Sequence, residues 1–396
     1  MRKTPLVVAL VVLLVLLLFS TLFAWRPELI RVLAYQIPDA ETYKAYPQTV
    51  VAPADTAFNF YRAATNRNDL DTLQVYNGQH QLVSFKSYME EARTKLFMVI
   101  RNDTVIYQQF KPGYSDTTLT TLFSVAKTMV SIALGKALDD GKIQSLDEPL
   151  LKYVPELKGN PAFHSITLRH LLTMKSGLDF ADATSGGLIA AFLSDEALYY
   201  YTDDIKKFLR AEKLVNQPGT VWKYKSIDVF LLAWALENAT GQKFAAYFQD
   251  NIWKEIGTAY PASWGLDHPN GLANTASRFQ STAIDLAKIG RLYLNKGKYN
   301  GKQVIPLSWV KESLNLRGER PSTSKGWQHT TQHNLWWIPQ QGEKGDFAAE
   351  GMRGQRLYMD TLTHTIIVHF ADKGAGDYPY RKISRYLSGL PFAYPK

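Results

Sequence analysis

The chain has 396 residues, of which 46% are hydrophobic, 13% aromatic and 20% charged; this is enough apolar material for a sizeable core and excludes a disordered tail or a peptide hormone. Lys plus Arg exceed Asp plus Glu by 45 to 36, a formal +9 that mildly favours anionic surfaces such as phospholipid or cell-wall polymer, but the basic residues form no dense run with interleaved aromatics, so nucleic acid is not an expected partner. With no cysteine, disulfides, thiolate catalysis and cysteine-ligated metal centres are excluded together.

Arg2 and Lys3 precede an uncharged stretch from Pro5 to Ala24 made mostly of Val and Leu, about the 20 residues a helix needs to cross a hydrocarbon core, and Arg26 and Glu28 end it. A cleaved secretory signal would close on a small-x-small site, and Ala24 at −1 places Leu22 at −3. The expectation is therefore an uncleaved anchor over residues 1–27. It would be single-pass in the inner (cytoplasmic) membrane, with residues 28–396 forming one body on the periplasmic or extracellular side.

Residues 30–60 read as a polar, partly helical lead-in. Phe97 to Ile100 and Val105 to Tyr107 flank Asn102-Asp103, a strand–turn–strand signal. From Leu122 to Leu138 the apolar spacing turns helical, with Met129, Ile132, Ala133 and Ala137 on one face, and stops at Gly141. Further helices are predicted over Thr167–Met174, Asp203–Leu214, Ile227–Asn238 and Thr282–Leu294, the last opening on the capping-box pattern Thr282-Ala-Ile-Asp285. Strand-like runs return at Leu335–Ile338, Gln355–Met359 and Thr365–Phe370, before a closing helix from about Tyr378 to Leu387. Neither group of strands is large enough to stand alone, so both must share one antiparallel sheet. The fold expected is α/β of the α+β type: an antiparallel sheet flanked by helices, with an all-helical lobe, about residues 128–285, inserted in the sheet-containing lobe. An α/β-hydrolase is excluded, because no Gly-x-Ser-x-Gly elbow occurs.

Ser124-Val-Ala-Lys127 opens the first long helix. Residues i and i+3 share a helix face, so a desolvated Lys127 with a lowered pKa could take the Ser124 proton, while the helix N-terminus and the Ser124 N–H favour a developing oxyanion. Ser-x-x-Lys also occurs at Ser308–Lys311 and Ser322–Lys325, but only Ser124 leads a long apolar helix. The alternative is a helix-capping serine with a solvated lysine. Tyr224-Lys225-Ser226, after Pro218-Gly219 and before a helix, offers a phenol beside an ammonium; Tyr293-Leu-Asn295 has a similar pattern but reads as a core tyrosine. Gly351-Met-Arg-Gly354 could let a strand present backbone groups to a substrate, or could simply be a bulge or tight turn. His329 and His333 have i, i+4 spacing but sit in a polar segment with no accompanying Glu, and no metal or other cofactor is called for. Tyr199 to Tyr201 could line a cleft or pack between elements.

Ser124-Val-Ala-Lys127, Leu171-Leu-Thr-Met-Lys-Ser-Gly-Leu178, Tyr224-Lys-Ser226 and the Gly351/Gly354-Gln355 strand, in that order, resemble the serine β-lactamase/penicillin-binding-protein superfamily. The likeness is to its class C-related branch, which holds the 6-aminohexanoate-dimer hydrolase-like serine hydrolases, and it spans roughly residues 60–390. It implies a β-lactamase/transpeptidase-like fold with the site between sheet and helices. It also implies Ser124 as acylated nucleophile, Lys127 as its proton acceptor, Tyr224 as general acid/base, and Ser226, Gly351 and Met352 on the substrate, the Met352 N–H sharing the oxyanion with that of Ser124. Two positions depart from the pattern. Where relatives carry Lys or His before Thr/Ser-Gly this chain has Ala349, with Arg353 the nearest candidate cation, and Ser226 stands where many carry Asn. Both departures lower the expectation of β-lactam hydrolysis and leave acyl transfer to a small-molecule amide or ester. The rival readings are a β-lactamase or D-alanyl carboxypeptidase of the same fold, and a catalytically silent binder of cell-wall peptide.

Overall fold

A computed structural model describes residues 27–35, 37–181, 194–315, 330–339, 345–374 and 379–391, together with residues 9–14, 17, 20 and 21. Among the described residues no helix is long and apolar enough to cross a membrane; much of the Pro5–Ala24 stretch lies outside them.

Helix α1 (Pro27–Tyr35) leads into strands β1 (Gln48–Val51) and β2 (Tyr61–Arg62), so the lead-in over residues 30–60 contains the strand β1 as well as a helix. A small hairpin, β3 (Gln74–Tyr76) and β4 (Leu82–Ser84), and helix α2 (Phe85–Glu91) precede the hairpin β5 (Thr94–Arg101) and β6 (Thr104–Phe110), then β7 (Thr120–Thr121). The β5–β6 turn is Asn102-Asp103, both at positive φ (48° and 60°), the twist a two-residue hairpin requires and which Asn and Asp tolerate. Helices then dominate: α3 (Val125–Asp139), α4 (Leu150–Tyr153), α5 (Leu168–Leu172), α6 (Asp195–Tyr201), α7 (Ile205–Arg210), α8 (Ser226–Thr240) and α9 (Phe244–Phe248). Strands β8 (Ala262–Gly265) and β9 (Phe279–Ser281) follow, then α10 (Ala283–Leu294), the hairpin β10 (Lys298–Tyr299) and β11 (Lys302–Gln303), and α11 (Leu307–Ser313). The chain closes with β12 (Thr330–His333), β13 (Trp336–Pro339), β14 (Asp346–Gly351), β15 (Gln355–Asp360), β16 (Thr365–Ala371) and α12 (Tyr380–Ser388).

The main sheet runs β12-β13-β14-β15-β16-β5-β6-β2, so the early hairpin and the late strands do share one sheet. It has eight strands rather than five or so, and β2 joins β6 in parallel. The extra breadth comes from β2, from β14 and from the edge strand β12, whose Thr-Thr-Gln-His sequence is polar because an edge need not be apolar to pair. Side chains alternate across the sheet. Leu96, Met98 and Ile100 of β5 join the large core with α3 and α8, whereas Phe97 and Val99 join a second core against α2 and α12, with Tyr88, Tyr380 and Ile383. Burial on both faces explains why β5 reads as a continuous apolar run. A smaller sheet, β1-β8-β9-β7, carries the chain to the start of α3.

Helix α3 is enclosed beyond the one apolar face its spacing marked: Val125 through Gly135 are all buried, because α8 and the sheet pack around it. Gly135 sits flush against Trp309 of α11, where a Cβ would lie 2.3 Å from the indole. At α10 only half of the predicted capping box forms. The Thr282 hydroxyl accepts the Asp285 N–H, but the Asp285 carboxylate turns away to the backbone N–H groups of Ala259 and Tyr260 and to Lys288.

Candidate active site

Strand β7 ends at Thr121, and Phe123 adopts a left-handed backbone (φ 47°) that turns the chain into α3. Ser124 is the residue before the first helical turn, yet it sits at φ −65°, ψ −8° and its side chain accepts no capping bond. An ordinary capping serine has extended backbone and spends its oxygen on the helix amides. Here the hydroxyl instead accepts a hydrogen bond from Lys127 Nζ at 3.1 Å. Lys127 is not solvated. It is only 2% exposed, it donates to the Ala276 carbonyl at 3.0 Å, and its amine lies 5.0 Å from the centre of the Tyr224 ring. No carboxylate among the described residues pairs with it, so the buried amine is met only by a hydroxyl, a carbonyl and an aromatic face.

Tyr224 is held by the loop after α5. The Lys223 N–H donates to the Met174 carbonyl at 3.0 Å and the Lys225 N–H to Met174 Sδ at 3.4 Å, with Met174 itself at positive φ (57°). Beneath the tyrosine, Lys225 Nζ donates to Ser176 Oγ at 2.9 Å and to the Leu178 carbonyl at 3.2 Å, and Ser176 Oγ donates to Asp228 at 2.6 Å. Burial pushes the Asp228 carboxyl up to about 6 and pulls the Lys225 amine down, each partly opposed by the other's charge 4.0 Å away. Trp337 of β13 lies 5.8 Å from the Tyr224 ring and walls the other side. Its strand is positioned from α3, where the Thr128 hydroxyl donates to the Leu335 carbonyl at 2.8 Å.

The third predicted element is the turn between β14 and β15. Gly351 approaches the turn before Ser124 so closely that a Cβ there would lie 2.2 Å from the Leu122 carbonyl oxygen. Met352 follows with its side chain exposed, and Arg353 takes a left-handed conformation (φ 62°). The Arg353 guanidinium does not replace the missing cation at Ala349, which is itself wholly buried. It donates to the Pro38 carbonyl at 2.8 Å and the Ile37 carbonyl at 3.4 Å.

Ser226 departs from its expected role. It is buried, and its hydroxyl, 2.8 Å from both Glu196 carboxylate oxygens, has its one proton committed to an acceptor far stronger than a substrate carbonyl. Tyr199 to Tyr201 are buried packing residues: Tyr199 stacks on Phe230 and donates to Glu212 at 2.5 Å, and burial pushes the Glu212 carboxyl up to about 7. Tyr293 is a core residue accepting the Trp336 indole N–H. Ser308 and Lys311 lie exposed on α11, while Ser322, Lys325 and His329 lie outside the described residues. His333 sits opposite Trp336 in the β12–β13 ladder, 3.7 Å from Glu312.

The profile of the Beta-lactamase family matches residues 85–385, a span that includes every element of this site. The chain belongs to the Beta-lactamase family. It is 26% identical to a 6-aminohexanoate-dimer hydrolase of Paenarthrobacter ureafaciens over 300 residues, 73% of this chain and 75% of the relative. A solved Bacillus anthracis structure described as a 6-aminohexanoate-dimer hydrolase superposes with a TM-score of 0.74 at 25% identity, covering 88% of this chain and 92% of that one. A penicillin-binding protein of Bacillus halodurans shares the fold at 17% identity, with a TM-score of 0.59 over 76% of this chain and 99% of its own.

Within this Beta-lactamase-family site, several contributors escaped sequence reasoning. The Ala276 carbonyl and the left-handed Phe123 leave no side-chain signature. In the sequence Trp337 carries only the signal of a strand. The Lys225/Asp228 pair was visible as an i, i+3 charge pair at the start of α8, and its burial is what separates it from a surface salt bridge.

Proposed function

We propose that this protein is a membrane-anchored, exported serine hydrolase that cleaves an amide or ester bond through an acyl-enzyme on Ser124. The observation that carries this reading is the 3.1 Å contact between a buried Lys127 amine and the Ser124 hydroxyl, with the amine resting on the Tyr224 ring. In the first step Ser124 Oγ bonds to the substrate carbonyl carbon while its proton passes to Lys127, assisted by Tyr224. The oxyanion rests on the N–H groups of Ser124 and Met352 at the mouth of α3, where the helix dipole favours negative charge. As the carbon–nitrogen or carbon–oxygen bond breaks, Tyr224 gives its phenol proton to the leaving group and takes in its place the proton held on Lys127, and water then releases the acyl group by the reverse path. Ala349 provides no cation for a substrate carboxylate, and Arg353 is spent on backbone carbonyls, which favours a linear amide or ester over a β-lactam or D-alanyl peptide. The relationship to a 6-aminohexanoate-dimer hydrolase supports the same choice. Residues 1–27 would hold the enzyme in the inner (cytoplasmic) membrane with the hydrolase body in the periplasm or outside the cell.

A fluorophosphonate probe should label the wild type on the peptide carrying Ser124 and leave Ser124→Ala unlabelled. Equal labelling of the variant would refute the nucleophile. A wild type that takes no label yet binds cell-wall peptide stoichiometrically would identify a silent binding protein. Turnover of a linear amide dimer or a short p-nitrophenyl ester should exceed that of nitrocefin.

A further inference from the structure

Helix α1 is built inside out. A helix on the surface of a soluble body turns its apolar stripe inward and its charges to water. In α1 the buried residues are Glu28 and Val32, and Arg31 is turned to the body, donating to the Tyr201 carbonyl at 2.9 Å and pairing with Asp203 at 3.3 Å. The opposite face shows Ile30, 47% exposed, Leu33, 62% exposed, and Ala34; just beyond the helix Ile37 is 56% exposed. The helix is held in this orientation, because Val32 packs with Tyr46, Tyr200 and Tyr201, and Tyr35 stacks on Tyr201. What covers the outward face is indicated by the chain just before it. The uncharged run Pro5–Ala24, long enough to span a bilayer, ends with only Trp25 and Arg26 between it and α1, and its Leu10 to Leu14 are likewise exposed.

The geometry points to the bilayer surface as the partner of this face: α1 lies along the boundary between headgroups and acyl chains, with Ile30, Leu33 and Ile37 in lipid. The inference rests on the anchoring proposed above. It also fixes where the candidate site sits. The carbonyls of Ile37 and Pro38 receive Arg353, and the carbonyl of Ala40 receives the Thr121 hydroxyl at 3.0 Å, three residues before Ser124. The seat is thereby tied to both sides of the nucleophile's turn, and the rim carrying the exposed Met352 faces the headgroups.

Because the chain has no cysteine, single reporters can be placed freely. The full chain carrying Leu33→Cys, Met352→Cys or, as a control, Leu82→Cys on β4 would be labelled with an environment-sensitive fluorophore. Each would be reconstituted into phosphatidylethanolamine/phosphatidylglycerol vesicles containing a shallow spin-labelled lipid. Quenching at 33 and 352 should exceed that at 82 by at least about threefold, as for a segment at the interface. A chain that does not float with the vesicles overturns the anchoring and the seat with it. One that floats with position 33 quenched no more than 82 overturns the seat alone, and quenching at 33 without quenching at 352 overturns the placement of the rim. A position 33 shielded from aqueous iodide but untouched by the lipid quencher marks a contact between two proteins and likewise overturns the seat.

Discussion

Replacing Gly351 by Ala should damage catalysis more than stability. The added Cβ would lie 2.2 Å from the Leu122 carbonyl oxygen, and real Cβ atoms essentially never come within 3.0 Å of a heavy atom outside their own stretch of chain, so the β14 end and the turn before Ser124 must separate by at least about 0.8 Å. Gly351 has φ −133°, which any residue adopts, so no backbone strain adds to the clash and the stiffer unfolded chain returns about 0.4–1 kcal/mol. With overpacking costing about 1–3 kcal/mol, the net loss of stability should lie between about 0 and 2.6 kcal/mol. Catalysis has no such offset. A misplacement near 1 Å between the nucleophile and its oxyanion donors costs on the order of 100-fold, or about 2.7 kcal/mol of transition-state stabilisation. The assay pairs the second-order rate of fluorophosphonate labelling at Ser124 with a denaturant melt, using Gly374→Ala, whose Cβ meets nothing within 4 Å, as control. A Gly351→Ala protein that labels at the wild-type rate would show that the turn beside Leu122 does not position the site.

Tyr224→Phe keeps the ring against Lys127 and Trp337 but removes the phenol, so kcat should fall by about 100-fold or more with KM little changed; an undiminished kcat on ester and amide alike removes Tyr224 from proton transfer. Gly135→Ala, which in an open helix would gain about 1 kcal/mol, should instead lower the melting temperature because the methyl meets the Trp309 ring, and Trp309→Leu should recover part of the loss in a double-mutant cycle. His369 is buried between Thr94 Oγ1 (2.8 Å) and the Tyr380 hydroxyl (3.0 Å), and burial holds its pKa down to about 3. Its folded value lies below its unfolded one, so the stability it contributes is complete above about pH 6.5 and drains away as pH falls toward 3, by up to roughly 1.4 kcal/mol per pH unit. Asp228, raised to about 6, works in the opposite sense between its unfolded value and 6, so the test is the difference between His369→Gln and wild type: the variant's unfolding free energy should fall less steeply over that range, and parallel curves would refute the assignment.

Local chemistry made much of the frame legible. Asn102-Asp103 announced a tight hairpin because both residues tolerate the left-handed turn, and β5 announced burial on two faces by its unbroken apolar run. Of three Ser-x-x-Lys segments, apolar context alone singled out Ser124, and the exposed Ser308 and Lys311 show why that criterion works: a lysine on a solvated helix face has no reason to meet its serine. What stayed hidden depends on distant parts of the chain. The α3 periodicity suggested one buried face because sequence cannot reveal that α8 and the sheet enclose the other. Ser226 looked available until Glu196, thirty residues earlier, came to meet it. Asp285 looked like a capping partner until the backbone of Ala259 and Tyr260 claimed its carboxylate.

The hydrogen bonds from Arg353 to Pro38 and from Thr121 to Ala40 also govern how the enzyme can be trimmed for purification. Cutting after Tyr35, to discard the apolar N-terminal stretch, would spare both acceptors but sacrifice the docking of Val32 among the tyrosines; cutting after Tyr46 would strip the acceptors as well and release two clasps flanking Ser124. A recombinant version begun that far along should melt lower and turn over more slowly, and a poor yield of active material from it would say more about a missing buckle than about a missing membrane.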